Sequence, residues 1–124
     1  MGKTILVVED EVAIRRVLVT KLQAEGYGTL EAGDGEMGLT VALDKHPDLI
    51  LLDVILPKLD GISLLWKLRI DGWGKNAEVI MLTNLSDAQS VADSLEKGVH
   101  DYLVKSDWKL DDLIALIKDK LQST

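Results

Sequence analysis

The sequence predicts an α/β domain in which a parallel sheet is covered by helices on both faces. Three observations predict it. Ile5-Leu6-Val7-Val8, Leu49-Ile50-Leu51-Leu52 and Val79-Ile80-Met81-Leu82 are unbroken apolar runs. They lack the alternation of a half-exposed strand and suit strands buried on both sides. Between them the apolar spacing becomes helical. The strand–helix alternation repeats five times with short connections, which favours parallel strands and right-handed crossovers. The 124 residues are expected to form one domain, residues 1–124, able to bury roughly two thirds of its unfolded surface.

The elements follow in order. After the first run, Ile14, Val17, Leu18 and Leu22 share a helical face, and Gly26 sits where a helix C-terminal glycine belongs. Tyr27 to Ala32 alternates partly and reads as an edge strand. Asp34 can cap a second helix carrying Leu39, Ala42 and Leu43. The Leu49–Leu52 run leads to a loop with Pro57, then to a third helix with Leu64, Leu65 and Leu68. After the fourth strand, Ser86 and Gln89 form a capping box before Ala88, Val91, Ala92 and Leu95, with Gly98 at the far end. Tyr102-Leu103-Val104 is the second edge strand. Asp107 can cap a last helix with the clearest stripe, Leu110, Leu113, Ile114, Ile117 and Leu121.

Composition excludes several classes of function. There is no cysteine, so disulfide scaffolds, Cys-ligated zinc, iron–sulfur clusters and thiol nucleophiles are out. Two histidines do not make a His-rich metal site, and His46 and His100 read as surface or helix-end residues. A net charge of −7 argues against nucleic acid binding on this domain, which needs clustered Lys and Arg. No apolar run reaches the ~18 residues of a membrane helix. Met1-Gly2-Lys3-Thr4 runs straight into a strand without signal-peptide architecture, so a cytoplasmic location is expected and the Asn84-Leu85-Ser86 sequon is discounted.

The chemistry lies at the carboxyl ends of the strands, where α/β sheets bind ligands. Glu9 and Asp10 follow the first run, Asp53 the third, Thr83 and Asn84 the fourth, and Lys105 the fifth. Taken singly, Asp10 or Asp53 reads as a helix cap or loop acid, Lys105 as a solvated lysine and Thr83 as a strand-end residue. Together they converge on one sheet edge. Three adjacent carboxylates repel one another, and Mg²⁺, a hard oxygen-seeking cation, relieves that repulsion. With Lys105 and the Thr83 hydroxyl, the set suits phosphoryl oxygens, and a central carboxylate can act as nucleophile.

Ile5-Leu6-Val7-Val8-Glu9-Asp10-Glu11, the block from Asp53 through Pro57 to Gly61, Thr83, and Asp101-Tyr102-Leu103-Val104-Lys105 resemble the receiver domain of two-component response regulators. The resemblance covers nearly the whole chain. It implies a flavodoxin-like fold: a five-stranded parallel sheet of order 2-1-3-4-5 flanked by five helices. It implies a phosphoryl acceptor without a turnover substrate, in which Asp53 takes the group from a sensor histidine kinase or phosphotransfer protein. Asp10, Asp53 and the backbone carbonyl of Ile55 would ligate Mg²⁺, and Glu9 would do so through water. Thr83, Asn84 and Lys105 would bind the phosphoryl group. Thr83 and Tyr102 would form a coupled switch acting on the face of the fourth helix, fifth strand and fifth helix. Partners would be a downstream protein or an effector domain missing from this chain, or a second copy through that face, where Asp93, Glu96, Asp101 and Lys118 mix charges.

The sequence departs from the family pattern at Lys105-Ser106, where proline is usual. A cis bond without proline costs about 2.5–4 kcal/mol, so a trans bond is expected, or a cis one held by the site. Asn84 stands where a small residue is common, adding a hydrogen bond or narrowing access. Apolar Ile55 and Leu85 flank the phosphoryl position, and neither can orient water, so slow self-hydrolysis is expected. Three rival readings stand beside this one. Gly33-Asp34-Gly35-Glu36-Met37-Gly38 is a literal G-x-G-x-x-G with Asp53 about 20 residues on, as a dinucleotide site asks. Its acids stand where pyrophosphate would sit. An aspartyl phosphatase would need an acid at Ile55. A receiver fold used as a binding module without phosphorylation is the third. Of the tryptophans, Trp73 lies between two glycines and is expected to pack over a neighbouring helix, while Trp108 opens the last helix and Trp66 has no assigned role.

Overall fold

A computed structural model describes residues 2–83, 101–104 and 109–122, with the backbone alone described at 83 and 101–104. Strands β1 (Thr4–Val8), β2 (Gly28–Ala32), β3 (Leu49–Asp53), β4 (Val79–Thr83) and β5 (Asp101–Val104) form one sheet of order β2-β1-β3-β4-β5. Every neighbouring pair is parallel. The described helices are α1 (Val12–Ala24), α2 (Gly35–Lys45), α3 (Gly61–Ile70) and a C-terminal helix (Leu110–Gln122). The expected fourth helix with its Ser86–Gln89 box and Gly98, and also His100, Asp107 and Trp108, lie outside the described residues. Among the described residues, no helix is long and apolar enough to cross a membrane.

The unbroken apolar runs feed two cores. Leu6, Val8, Ile50, Leu52, Val79 and Met81 join α2 and α3 on one side of the sheet. Ile5, Val7, Leu49, Leu51, Ile80 and Leu82 join α1 and the C-terminal helix on the other. Period-2 side-chain geometry thus explains why these strands read as continuous apolar sequence.

The helices are tied by local chemistry. At the end of α1, Gly26 takes φ +93°. Its N–H donates to the Gln23 carbonyl at 3.0 Å and the Tyr27 N–H to the Leu22 carbonyl at 3.1 Å, so a glycine-dependent turn satisfies the last carbonyls. Asp34 caps α2, accepting from the Met37 N–H at 2.8 Å.

Two expected core positions are corrected. Val17 is 56% exposed, because α1 docks through Leu18, Leu22 and Val19, centred well round the helix from it. Leu43 is exposed too. The buried face of α2 is Gly35, Gly38 and Ala42, small residues that bring the helix close to the sheet. A Cβ on Gly38 would approach the Val8 Cγ1 to 2.8 Å. Trp73 is half-buried against the α2–α3 core and stacks on His46, with ring centroids 4.3 Å apart.

The C-terminal helix buries Leu113, Ile114, Ile117 and Leu121, with Leu110 half-buried beside them. Lys118, one of the charges expected on the face of the fourth helix, fifth strand and fifth helix, pairs toward α1. Its ammonium pairs with Glu25 Oε1 at 2.6 Å. Lys21 links Glu25 to Asp111, 3.7 Å from each. The Lys118 hydrogen bond and charge, helped by Lys21, hold the Glu25 carboxyl below its ordinary range, and Glu25 raises the Lys118 ammonium. A depressed carboxyl contributes stability that is complete above its ordinary value of 4.5 and fades as pH falls through the lowered one. Glu25→Gln should therefore melt below wild type at neutral pH, and the gap should close in acid. Thermal melts across pH check this.

Candidate functional site

The register of β1 and β3 builds the site. Val8 pairs with Leu52, so Glu9, the residue just past β1, follows beside Asp53, the last residue of β3. Both continue the alternation of Val7 and Leu51, so they share a side of the sheet. Glu9 is fully buried and Asp53 is 4% exposed. Asp10 follows into the open. One carboxylate oxygen from each of Glu9, Asp10 and Asp53 lies within 4.8 Å of the others. Among the described residues, this is the one cluster of three or more such groups placed to hold a metal ion.

Backbone donors hold the acids. The Glu9 N–H continues the ladder to the Ala32 carbonyl at 3.0 Å. Its Oε2 accepts from the Glu11 N–H at 3.1 Å, where α1 begins without a side-chain cap. Asp53 Oδ1 accepts from the Ile55 N–H at 3.2 Å.

The loop after Asp53 is folded tightly. The Pro57 carbonyl accepts from the Leu59 N–H at 2.7 Å and the Gly35 N–H at 3.2 Å. That closes a three-residue turn about Lys58, whose φ is +68°, a region costly for a side chain with a Cβ. Asp60 then caps α3, accepting from the Ser63 N–H at 2.9 Å and the Ser63 hydroxyl at 2.8 Å. Burial alone would raise the Asp60 carboxyl; hydrogen bonds from Ser63, together with the Asp60 and Ile62 backbone amides, outweigh it and hold the carboxyl low. The Gly61 N–H donates to the Val54 carbonyl at 2.8 Å. A Cβ on Gly61 would run into the Asp53 carbonyl, so glycine lets the first turn of α3 press on the strand that carries Asp53.

Other expected residues fall at the same edge or outside the description. Thr83 ends β4 one step beyond Leu82, which pairs with Asp53, and itself pairs with Val104. Tyr102 pairs with Met81. Asn84, Leu85, Lys105 and the Lys105-Ser106 bond lie outside the described residues; no cis bond occurs among those described. The glycines of the G-x-G-x-x-G string are packing positions. A Cβ on Gly35 would strike the Leu59 carbonyl, and Gly38 abuts Val8 and Leu64. The Asp34 carboxylate itself covers the α2 N-terminus, with Lys58 Nζ 3.8 Å from its Oδ2. The sequence reading passed over Asp60 as a cap, although an acid directly before an apolar helix is its ordinary signal.

The profile of the response regulator receiver domain matches residues 5–118. The chain belongs to the response regulator receiver family. The receiver is 43% identical over 122 residues to the probable transcriptional regulator ycf27 of Cyanophora paradoxa, covering 98% of this chain and 49% of that one. It thus spans about half the length of that relative. Among solved structures it is similar to the receiver domain of the Francisella response regulator 1452, with a TM-score of 0.88, 32% identity and 98% of each chain covered. It is similar also to the receiver domain of the Pseudomonas aeruginosa PAO1 sensor histidine kinase PA1611, whose structure holds a magnesium ion in its active site cleft. There the TM-score is 0.88 and the identity 30%, over 99% of this chain and 100% of that one.

The contact at Gly61 yields a test. Gly61→Ala should cost roughly 1–3 kcal/mol, because overpacking against backbone cannot be relieved by a rotamer change. Urea unfolding reads the loss, and the amide resonance of Asp53 should move with it.

Proposed function

We propose that this receiver is a Mg²⁺-dependent phosphoryl acceptor that takes the group on Asp53 and signals through protein contacts. The observation carrying the reading is the gathering of Glu9, Asp10 and Asp53 oxygens within 4.8 Å of one another. The donor set fits the ion. All three groups are hard oxygen donors, the kind Mg²⁺ takes. Asp10, Asp53 and the Ile55 carbonyl would hold it directly, and Glu9 would act through water. When bound, the ion neutralises carboxylate charge and phosphoryl oxygens.

The Asp53 carboxylate attacks the phosphorus of a phosphohistidine on a sensor histidine kinase or phosphotransfer protein. The P–N bond breaks, its electron pair leaves with the imidazole, and an acyl phosphate forms. Thr83, Asn84 and Lys105 hold the phosphoryl oxygens. Bonds to Thr83 bias a two-state packing that Tyr102 shares. The domain, residues 1–124, works in the cytoplasm without a turnover substrate or nucleic acid contact. Its output goes to a downstream protein or an attached effector domain, with a homodimer through β5 and the helices beside it as one form.

Intact mass after incubation with acetyl phosphate tests the acceptor. A gain of one phosphoryl group is expected with Mg²⁺, absent in EDTA and in Asp53→Asn. No gain in wild type would point to a binding module. The Ile55 side chain, 56% exposed beside Asp53, offers no group to orient attacking water. Ile55→Gln should shorten the phosphoryl lifetime by at least about tenfold; an unchanged lifetime by mass would refute slow self-hydrolysis through this position.

A further inference from the structure

We propose that Arg15 is a positioning residue for the metal-binding carboxylates, acting through the backbone of Glu9. The inference rests on the Mg²⁺ reading of that site.

β1 ends at Val8, and the Glu9 N–H makes the last ladder bond of that strand. The Glu9 carbonyl needs a donor, because buried backbone acceptors are nearly always satisfied. Arg15 supplies it: from α1, its Nη1 donates to that carbonyl at 2.7 Å. Its Nε donates to Glu31 Oε1 on β2 at 3.2 Å, which sets the plane of the guanidinium. The Arg15 side chain is mostly buried, at 19% exposure. Gly33 leaves it room, since a Cβ there would stand 3.3 Å from Nη1. The first glycine of the literal G-x-G-x-x-G thereby has a role: it clears a path for an arginine.

Glu9 is then held at three points: N–H to β2, carbonyl to Arg15, and carboxylate to the Glu11 N–H. Those three bonds set the strand-to-helix turn from which Asp10 projects. Groups that orient ligands without touching the ion are worth roughly 10–100-fold in metal affinity.

Calorimetric Mg²⁺ titrations of wild type, Arg15→Met, Arg15→Lys and Glu31→Met test this, each beside a thermal melt in EDTA. Binding by wild type is checked first; its absence would overturn the metal reading itself, whatever the variants do. With wild type binding, Arg15→Met should bind roughly tenfold more weakly or worse. Arg15→Lys, which keeps one donor for the carbonyl, should recover part of the loss. A lowered melt with unchanged Mg²⁺ affinity in Arg15→Met would mean a merely structural brace and overturn the proposal. If Arg15→Met does not melt cooperatively, Glu31→Met decides, since it removes the acceptor that fixes the guanidinium without removing the buried donor: weakened binding supports the proposal and unchanged binding overturns it.

Discussion

The parallel register between β1 and β3 ties the chemistry of this receiver to its core. Four paired positions, Ile5 with Leu49 through Val8 with Leu52, are apolar on both strands and buried on both faces. A slip of one residue would exchange the two cores, so the pairing has no near competitor. Glu9 and Asp53 are carried into adjacency by that pairing, against their mutual repulsion. The free energy that holds them together is hydrophobic and comes from the strands behind them. Around this fixed pair the remaining parts are short-range: a backbone donor for each acid, a tight loop behind Asp53, and a helix start against it.

The two faces of the sheet solve the docking problem differently. On the α1 side, large side chains of α1 and the C-terminal helix fill the space, and Lys21, Glu25, Asp111 and Lys118 form a charged seam along the rim. On the α2 side, α3 also packs large leucines, but the closest contacts are made by absence of side chain. Gly35, Gly38 and Gly61 let backbone meet backbone or a valine methyl directly. The loop that follows Asp53 depends on this second mode, because the Pro57 carbonyl reaches the Gly35 N–H only where α2 lies close.

Much of this was legible in the sequence. The strands were readable because burial on both faces leaves an unbroken apolar run, and Asp53 because it ends one. The capping acid Asp34 and the αL glycine Gly26 were readable because each does a job few residues can do. Other features were not, for physical reasons. Val17 and Leu43 fit the helical period, but the period does not say where the docked face is centred. The pairing of Lys118 with Glu25 was not legible, because a charge lying just off the apolar stripe can turn to either flank. Arg15 carried no signal at all: a mid-helix arginine looks like any solvated one until the strands on either side of it are in place.

The packing glycines bear on how sites are recognised from sequence families. At Gly35 and Gly61 any enlargement meets backbone that cannot step aside, and at Gly38 it meets the buried Val8 and Leu64 side chains. Natural variation would hold those positions as firmly as it holds Glu9, Asp10 and Asp53, although they touch no reacting atom. Two of them lie in a string that spells a nucleotide-binding signature. Invariance at such places records steric exclusion, and the pattern it leaves can be mistaken for a ligand signature.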